Sequence, residues 1–431
     1  MASKVAFHTL GCKLNFSETS TICEQFIEKG FHVVDFKERA DVYIINTCTV
    51  TENADKECRQ IIRRALRNNP DAFIAVTGCY AQLSPDELSE IQGVDVILGT
   101  NEKFDIFSYA DNFEKKELSC IHVTPTEEIN SVHTAHSTEA DGRTRAFLKI
   151  QDGCDYKCSF CTIPLARGKS RSLETEIVLS EFQNLLDSGY KEIVLTGVNV
   201  GDYGKVLDKD FYALLKEIIK IPGDFRVRIS SIEPNLLTDD IIKLTAENEK
   251  LCDHFHIPLQ SGSPKILKLM QRRYTNEDYK NVIFKAVDLI NDVGIGVDVI
   301  VGFPGETEDD FLDTYNFLLN LPISYLHVFT YSERANTKAI SMDGNVDVVE
   351  RKRRNNMLRI LSEKKRNEFY KKMIGKNLPV LFESERHGNF IKGFASNYVR
   401  VQHPSEAGLS NKFVKVKIKE ADKDICTVDL I

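Results

Sequence analysis

Gln151-Asp152-Gly153-Cys154-Asp155-Tyr156-Lys157-Cys158-Ser159-Phe160-Cys161 follows directly on the strand-like run Ala146-Phe147-Leu148-Lys149-Ile150. Thiols spaced C-x3-C-x2-C suit a metal ion or an iron–sulfur cluster, because thiolates are ligands for both. A structural zinc normally takes four protein ligands, and after Cys161 no histidine or further cysteine appears until Cys252. A 4Fe–4S cluster held by three thiolates keeps one iron open, which is how catalytic metal sites admit a ligand.

Outward from this loop, residues 145–345 alternate strand and helix six times. Strands are expected at Phe147–Gln151, Glu192–Thr196, Arg226–Ser230, His254–Leu259, Ile295–Val301 and Tyr325–Thr330, with helices between them. Six units are too few for a closed eight-fold barrel, so a partial (β/α)6 barrel is expected, with its site at the C-terminal ends of the strands. Residues 1–112 also alternate, with strands expected at Val5–Thr9, Val42–Asn46, Phe73–Thr77 and Val94–Leu98. Cys12, Cys48 and Cys79 each follow one of the first three. Parallel strands end at one edge, so these thiols should converge there as a second three-thiolate cluster site. Cys23, Cys58, Cys120, Cys252 and Cys426 have no such placement and read as core packing.

Residues 113–144 are polar and read as a linker, with one strand near Ile121–Val123. The unit from 145 closes at 370 with a long basic helix over residues 346–372, studded by Arg351, Arg353, Arg354, Arg359, Lys364, Lys365 and Arg366. From 371 to 431 the period shortens to five strands, at Pro379–Glu385, Asn389–Ala395, Tyr398–Gln402, Lys412–Ile418 and Ile425–Leu430. That is a β-barrel of the size used for single-stranded RNA. Phe382, Phe390, Phe394 and Tyr398 alternate there with Arg386, Lys392 and Arg400, pairing faces for bases with cations for phosphates.

Charge supports a nucleic-acid partner. The chain of 431 residues has net charge −8, yet residues 351–431 carry 19 Lys and Arg against 9 Asp and Glu. No run of eighteen apolar residues exists and the start, Met1 to His8, reads as a strand rather than an export signal. With eleven cysteines, this suits a reducing, cytoplasmic setting.

The chain resembles the methylthiotransferases of the radical S-adenosylmethionine (SAM) superfamily along nearly its whole length. The resemblance rests on Thr9-Leu10-Gly11-Cys12-Lys13-Leu14-Asn15, Asn46-Thr47-Cys48-Thr49-Val50-Thr51, Asp152-Gly153-Cys154 through Arg167-Gly168, and Thr196-Gly197-Val198-Asn199. It is most similar to the subfamily acting on N6-threonylcarbamoyladenosine in tRNA. His327-Val328-Phe329-Thr330-Tyr331-Ser332 differs from the proline-containing version of the sister subfamilies, whose targets are isopentenyladenosine in tRNA and a ribosomal-protein aspartate.

The resemblance implies an α/β chain of three parts: a cluster domain, a radical SAM partial barrel and a C-terminal TRAM barrel. It implies two 4Fe–4S clusters, one on Cys154, Cys158 and Cys161 that binds and cleaves SAM, and an auxiliary one on Cys12, Cys48 and Cys79 that carries the sulfur. It places SAM contacts at Phe160, Thr196, Gly197, Asn199, Ser230, Glu233, Gln260, Asp298 and Phe329. The reaction it implies is abstraction of the hydrogen at adenosine C2 by a 5′-deoxyadenosyl radical, followed by methylthio transfer. The partners are the tRNA anticodon loop and a flavodoxin- or ferredoxin-type electron donor, with Arg59, Arg63, Arg64 and Arg67 placed for phosphates. A two-cluster electron carrier would explain the cysteines but not the barrel or the basic C-terminal segment.

Overall fold

The computed structural model describes residues 3–431 apart from 50, 111, 138–143, 206 and 407. The first part is one sheet of β1 (Lys4–Thr9), β2 (His32–Val34), β3 (Val42–Thr47), β4 (Phe73–Gly78), β5 (Val96–Leu98) and β6 (Cys120–His122). All pair in parallel in the order β2-β1-β3-β4-β5-β6. Strands β3 and β4 are buried on both faces, which is why they read as unbroken apolar runs. Alternate residues serve opposite layers. Tyr43, Ile45, Ile74 and Val76 pack on Ile61, Ile62 and Ala65 of the helix Glu52–Asn68. Ile44, Phe73 and Ala75 meet Ile22 and Phe26 of the helix Lys13–Glu28. Strand β2 was not expected, being only three residues long. Strand β6, inside the expected linker, pairs with β5 and extends the sheet.

The central part begins with β7 (Arg145–Lys149) and the short hairpin of β8 (Gln151–Asp152) and β9 (Arg171–Ser172). It continues through β10 (Glu192–Thr196), β11 (Arg226–Ile229), β12 (His254–His256), β13 (Gly294–Val301) and β14 (Tyr325–Thr330). Strands β11-β10-β7 and β12-β13-β14 form two parallel triplets, joined by the bridge Ser231 to His256. The result is a six-stranded arc in sequence order, open between β14 and β7. The fourth strand ends at His256 rather than Leu259. Pro258 has no N–H for the ladder, and Gln260 turns the chain with φ +71°.

The last part is a closed barrel of β15 (Asn377–His387), β16 (Phe390–Ala395), β17 (Arg400–Pro404), β18 (Phe413–Asp422) and β19 (Ile425–Leu430), in the order β15-β16-β17-β19-β18. Val380, Phe382, Ile391, Val401, Val416 and Ile418 fill it. The third strand starts at Arg400, not Tyr398, because Tyr398 has φ +68°. The helix Val348–Met373 serves two cores, with Leu358 and Leu361 in the central one and Tyr370 and Met373 in the barrel.

Two expectations about RNA contacts need correction. The first turns of the basic helix are engaged by the protein itself, which takes Arg351, Arg353 and Arg354 out of play, whereas Arg359, Lys364 and Arg366 have no acid partner among the described residues. Arg351 bonds Glu333, Arg354 bonds Glu306, Glu308 and Glu350, Arg353 bonds Glu308 and Glu350, and Lys365 donates to the carbonyls of Leu319 and Leu321. Among the barrel aromatics, Phe382 is core. Phe394 and Tyr398 stack at 4.9 Å and face the central strands, with the Arg145 guanidinium 4.3 Å from the Phe394 ring and that of Arg228 5.0 Å from Tyr398. Only Phe390 of the four is exposed. No described helix is long and apolar enough to cross a membrane.

Candidate active site

Cys12, Cys48 and Cys79 follow β1, β3 and β4, three neighbouring strands, at one edge of the first sheet. Two glycines let the chain close around them. Gly11 has φ +100°, and a Cβ there would lie 2.7 Å from Cβ of Cys48. Gly78 has φ +97°, and its Cβ would meet the Thr47 carbonyl at 2.4 Å. The Asn15 amide pins two of the loops by donating to the carbonyls of Leu10 (2.8 Å) and Thr47 (3.0 Å). Cys79 is buried, which pushes its thiol up, while Arg167 and Lys103 oppose that by favouring the thiolate.

Behind this trio lies a buried ionic cluster. Glu18, with no side-chain exposure, takes Arg167 at 2.9 Å, Lys149 at 3.1 Å and Lys103 in a shorter contact. Asp152 takes Lys149 at 2.8 Å and Arg167 at 3.0 Å, and Arg167 also donates to Asn15 at 2.7 Å. Burial disfavours both carboxylates, yet Arg167 and the lysines hold them well below the usual carboxylate range. Three cations face two carboxylates here, leaving an excess positive charge beside Cys79, which suits thiolates and the anionic cluster they would carry.

Cys154, Cys158 and Cys161 lie on the loop between β8 and the helix Ile163–Arg167, half-buried. Gly153, at φ +70°, passes so near Lys169 that a Cβ would sit 2.0 Å from its carbonyl oxygen, and the Cys154 N–H donates to Gly168 at 3.0 Å. Burial pushes the thiols of Cys154 and Cys161 up to about 12. Without a metal they are protonated, and metal binding releases the protons. Arg272 donates to the Cys158 sulfur at 3.0 Å and also bonds Glu233. Among the described residues, the one set of three ligand atoms all within 4.8 Å of one another is His256, Asp298 and His327. Neither cysteine trio is drawn to the roughly 3.8 Å sulfur spacing that 2.3 Å bonds to one tetrahedral ion would require. Two sets of three thiols, rather than one of four, suit clusters that keep an iron open better than a structural zinc, which takes four protein ligands.

The expected SAM contacts fall into two groups. Asn199 and Ser230 are buried at strand ends; the Ser230 hydroxyl has no partner among the described residues, and the Asn199 amide lies beside the Asp202 carboxylate. Gly197 packs on Gln151, whose Oε1 accepts from the Asn199 N–H at 2.9 Å. Gln260 is half-buried at its turn, and Phe329 is 45% exposed at the end of β14. The others are already engaged. Thr196 donates to the Val194 carbonyl, and Glu233 is held by Arg272. Asp298 is bracketed by His256 at 2.8 Å and His327 at 3.2 Å, and Phe160 packs edge-on to Phe303. Of the expected phosphate contacts, Arg63, Arg64 and Arg67 are exposed, whereas Arg59 donates to the Tyr80 hydroxyl at 2.7 Å. Lys392 and Arg400 are half-buried, Arg400 lying 5.6 Å from the Phe394 ring; the Arg386 side chain lies outside the described part. Sequence reading assigned no role to Glu18, Lys103, Arg167 or Arg272. Arg167 closes the quoted cysteine motif, and that position was the one available signal.

A parallel six-strand arc with a three-cysteine loop after its first strand defines a radical SAM protein, and the comparisons agree. The Radical SAM superfamily model matches residues 148–318, and the model of uncharacterized protein family UPF0004 matches residues 4–99. The chain is 42% identical over 423 residues to the threonylcarbamoyladenosine tRNA methylthiotransferase MtaB of Bacillus subtilis, spanning 97% of this chain and 94% of that one. It is 34% identical to the tRNA-2-methylthio-N(6)-dimethylallyladenosine synthase of Fusobacterium nucleatum, over 97% of each chain. Among solved structures, the radical SAM methyltransferase TsrM of Kitasatospora setae, with cobalamin and a 4Fe–4S cluster bound, shares the fold. Its TM-score is 0.56 at 16% identity, covering 79% of this chain and 77% of that one. The chain belongs to the radical SAM methylthiotransferase family and is an enzyme of that class, with SAM and 4Fe–4S clusters as its cofactors.

Proposed function

We propose that this enzyme inserts a methylthio group at C2 of N6-threonylcarbamoyladenosine in the anticodon loop of tRNA. The observation that carries the reading is that both cysteine trios border one buried guanidinium. Arg167 bonds Glu18, on the helix that starts just after Cys12, and Asp152, two residues before Cys154. A radical site and a sulfur site held in one place are what this reaction needs. The relatives named for threonylcarbamoyladenosine, at up to 42% identity, support the choice of nucleoside.

In this reading Cys154, Cys158 and Cys161 hold the cluster that binds SAM, and Cys12, Cys48 and Cys79 hold the auxiliary one. When bound, these groups supply a carbon radical strong enough to remove an unactivated hydrogen, and the sulfur that replaces it. The chain's own residues position and shield. Arg272 donates to a ligand sulfur, which tunes the cluster. Asn199 and Ser230 offer buried polar atoms to SAM, and the Gln260 turn brings backbone close. Arg63, Arg64 and Arg67 meet the phosphates of a splayed loop, the usual form in which RNA sequence is read. Residues 1–112, 145–370 and 371–431 act as cluster domain, radical SAM barrel and TRAM barrel, with 113–144 linking the first two. A flavodoxin- or ferredoxin-type donor reduces the clusters in the cytoplasm. The test is mass spectrometry of tRNA nucleosides from a strain lacking the gene. Loss of the methylthio-threonylcarbamoyl nucleoside is expected; loss of the dimethylallyl counterpart instead moves the substrate to the sister subfamily.

A further inference from the structure

We infer that Arg334 is a positioning residue: it ties the loop of Cys48 to the loop of Cys158 and Cys161, and the spacing it sets couples SAM cleavage to methylthio transfer. This deepens the function proposed above and rests on its assignment of the two cysteine trios.

Residues 331–339, which follow β14, form a strap between the two cysteine loops. One end is anchored beside Cys158 and Cys161, where the Ala339 N–H donates to the Ser159 carbonyl at 2.8 Å. Tyr331 and Ala339 are buried in a small core with Met270 and Phe303, against which Phe160 packs. The Tyr331 carbonyl also accepts from Arg351 at 3.0 Å, so both ends of the strap are fixed to the barrel.

Its middle crosses to the first part of the chain. Arg334 donates through one nitrogen to Asp55 at 2.7 Å and through the other to the Thr49 hydroxyl in a shorter contact. Thr49 is buried and directly follows Cys48. Ser332 accepts at 3.0 Å from the N–H of Glu52, the first residue of the helix Glu52–Asn68. A local turn aims the arginine: its carbonyl accepts from the Thr337 hydroxyl at 2.7 Å and N–H at 3.3 Å, and Asn336 takes the left-handed conformation the turn needs, at φ +63°. The side chains of Arg334 and Asp55 are only 12% and 10% exposed, so the pair is shielded from the water that weakens surface ion pairs.

The Arg167 tie joins a different pair of elements, the helix after Cys12 and the Asp152 that precedes Cys154. A single tie fixes a distance and leaves an angle open. The strap adds a second fixed point, between the Cys48 loop and the Cys158–Cys161 loop, and two points set how the sulfur faces the radical. Transfer must occur while a carbon radical survives, and a misplacement of about 1 Å can cost a positioned reaction about a hundredfold. SAM cleavage uses only the barrel's own cluster and does not share that demand.

The test uses the reconstituted full-length enzyme, dithionite as reductant and an anticodon stem-loop RNA carrying N6-threonylcarbamoyladenosine. It measures 5′-deoxyadenosine formed per methylthio product; both come from one reaction, so a smaller folded fraction leaves the ratio unmoved. Arg334→Ala with unchanged iron content is expected to raise that ratio about threefold or more over wild type. Arg334→Lys, which keeps the charge facing Asp55, should stay nearer wild type. If Arg334→Ala fails to retain its iron, Asp55→Ala, which removes the same bond from the other side, carries the measurement. A wild-type ratio in the iron-replete variant, including a fall of both products in step, overturns the proposal. A wild-type enzyme that cleaves SAM yet places no methylthio group on this RNA overturns the function reading itself.

Discussion

Replacing Glu18 by Gln should loosen the first part of the chain from the barrel. Glu18 is fully buried and takes three cations, two of which, Arg167 and Lys149, also reach Asp152. Among the described residues, the one acid that Lys103 pairs with is Glu18. An amide keeps the shape but not the charge, so three buried cations would face one carboxylate. Removing one partner of a buried ion pair costs about 3–5 kcal/mol, a large share of a stability of about 5–15 kcal/mol. With a urea slope of about 2 kcal/mol/M, the unfolding midpoint of this part should fall by about 1.5–2.5 M. The chain has no tryptophan, so far-UV circular dichroism of the iron-replete protein is the suitable probe. The pH dependence carries a second signature. Glu18 and Asp152 have depressed folded-state pKa values, so their stabilisation is complete above the unfolded carboxylate range of about 4 and is lost progressively as pH falls below that range toward the depressed folded values. The variant loses Glu18's part of that acid sensitivity. Lys103, whose pKa burial already pushes down, becomes an uncompensated charge, so the variant should instead gain stability as pH rises toward about 10. A midpoint shift below about 0.5 M, or an unchanged acid profile, would refute the reasoning.

Cys79→Ala should reduce iron from about eight to about four per chain in anaerobically purified protein; an unchanged iron content would remove Cys79 from the ligand set. Arg272→Ala removes a cationic donor 3.0 Å from the Cys158 sulfur, so the potential of that cluster should drop by about 60 mV in a redox titration, and no change would mean the contact does not tune it. Replacing Arg63, Arg64 and Arg67 together by Gln should weaken RNA binding and flatten its dependence on log salt by about two to three, measured by anisotropy; a parallel loss at every salt would exclude phosphate contacts.

Much of this arrangement was legible in the chain. The spacing of Cys154, Cys158 and Cys161 is local, and the convergence of Cys12, Cys48 and Cys79 follows once the strands before them are parallel. The six-strand arc could be counted because apolar strands alternate with helices, several of which carry their own start signal, such as Thr275 and Thr307 with their capping boxes. Long-range pairing was not legible. Arg167 meets Glu18 across 149 residues, and no periodicity marks either partner. The basic helix misled for the same reason. A row of arginines shows its charge but not the glutamates Glu306 and Glu308 folded against it. Tyr398 and Phe394 read as a base-stacking surface because an exposed aromatic face and one docked on another part of the chain look alike in one dimension.

One guanidinium, fastened to an acid on either side, acts as a rivet through two plates. Pulling the sulfur-bearing plate from the radical-bearing one would break both buried bonds from Glu18 to Arg167 and Lys149 and leave two cations on the single acid Asp152, so swinging the plates apart is a costly way to admit RNA. The nucleotide has to leave its own stack and enter a jaw of set width, and the energy of that deformation is drawn from contacts elsewhere along the RNA.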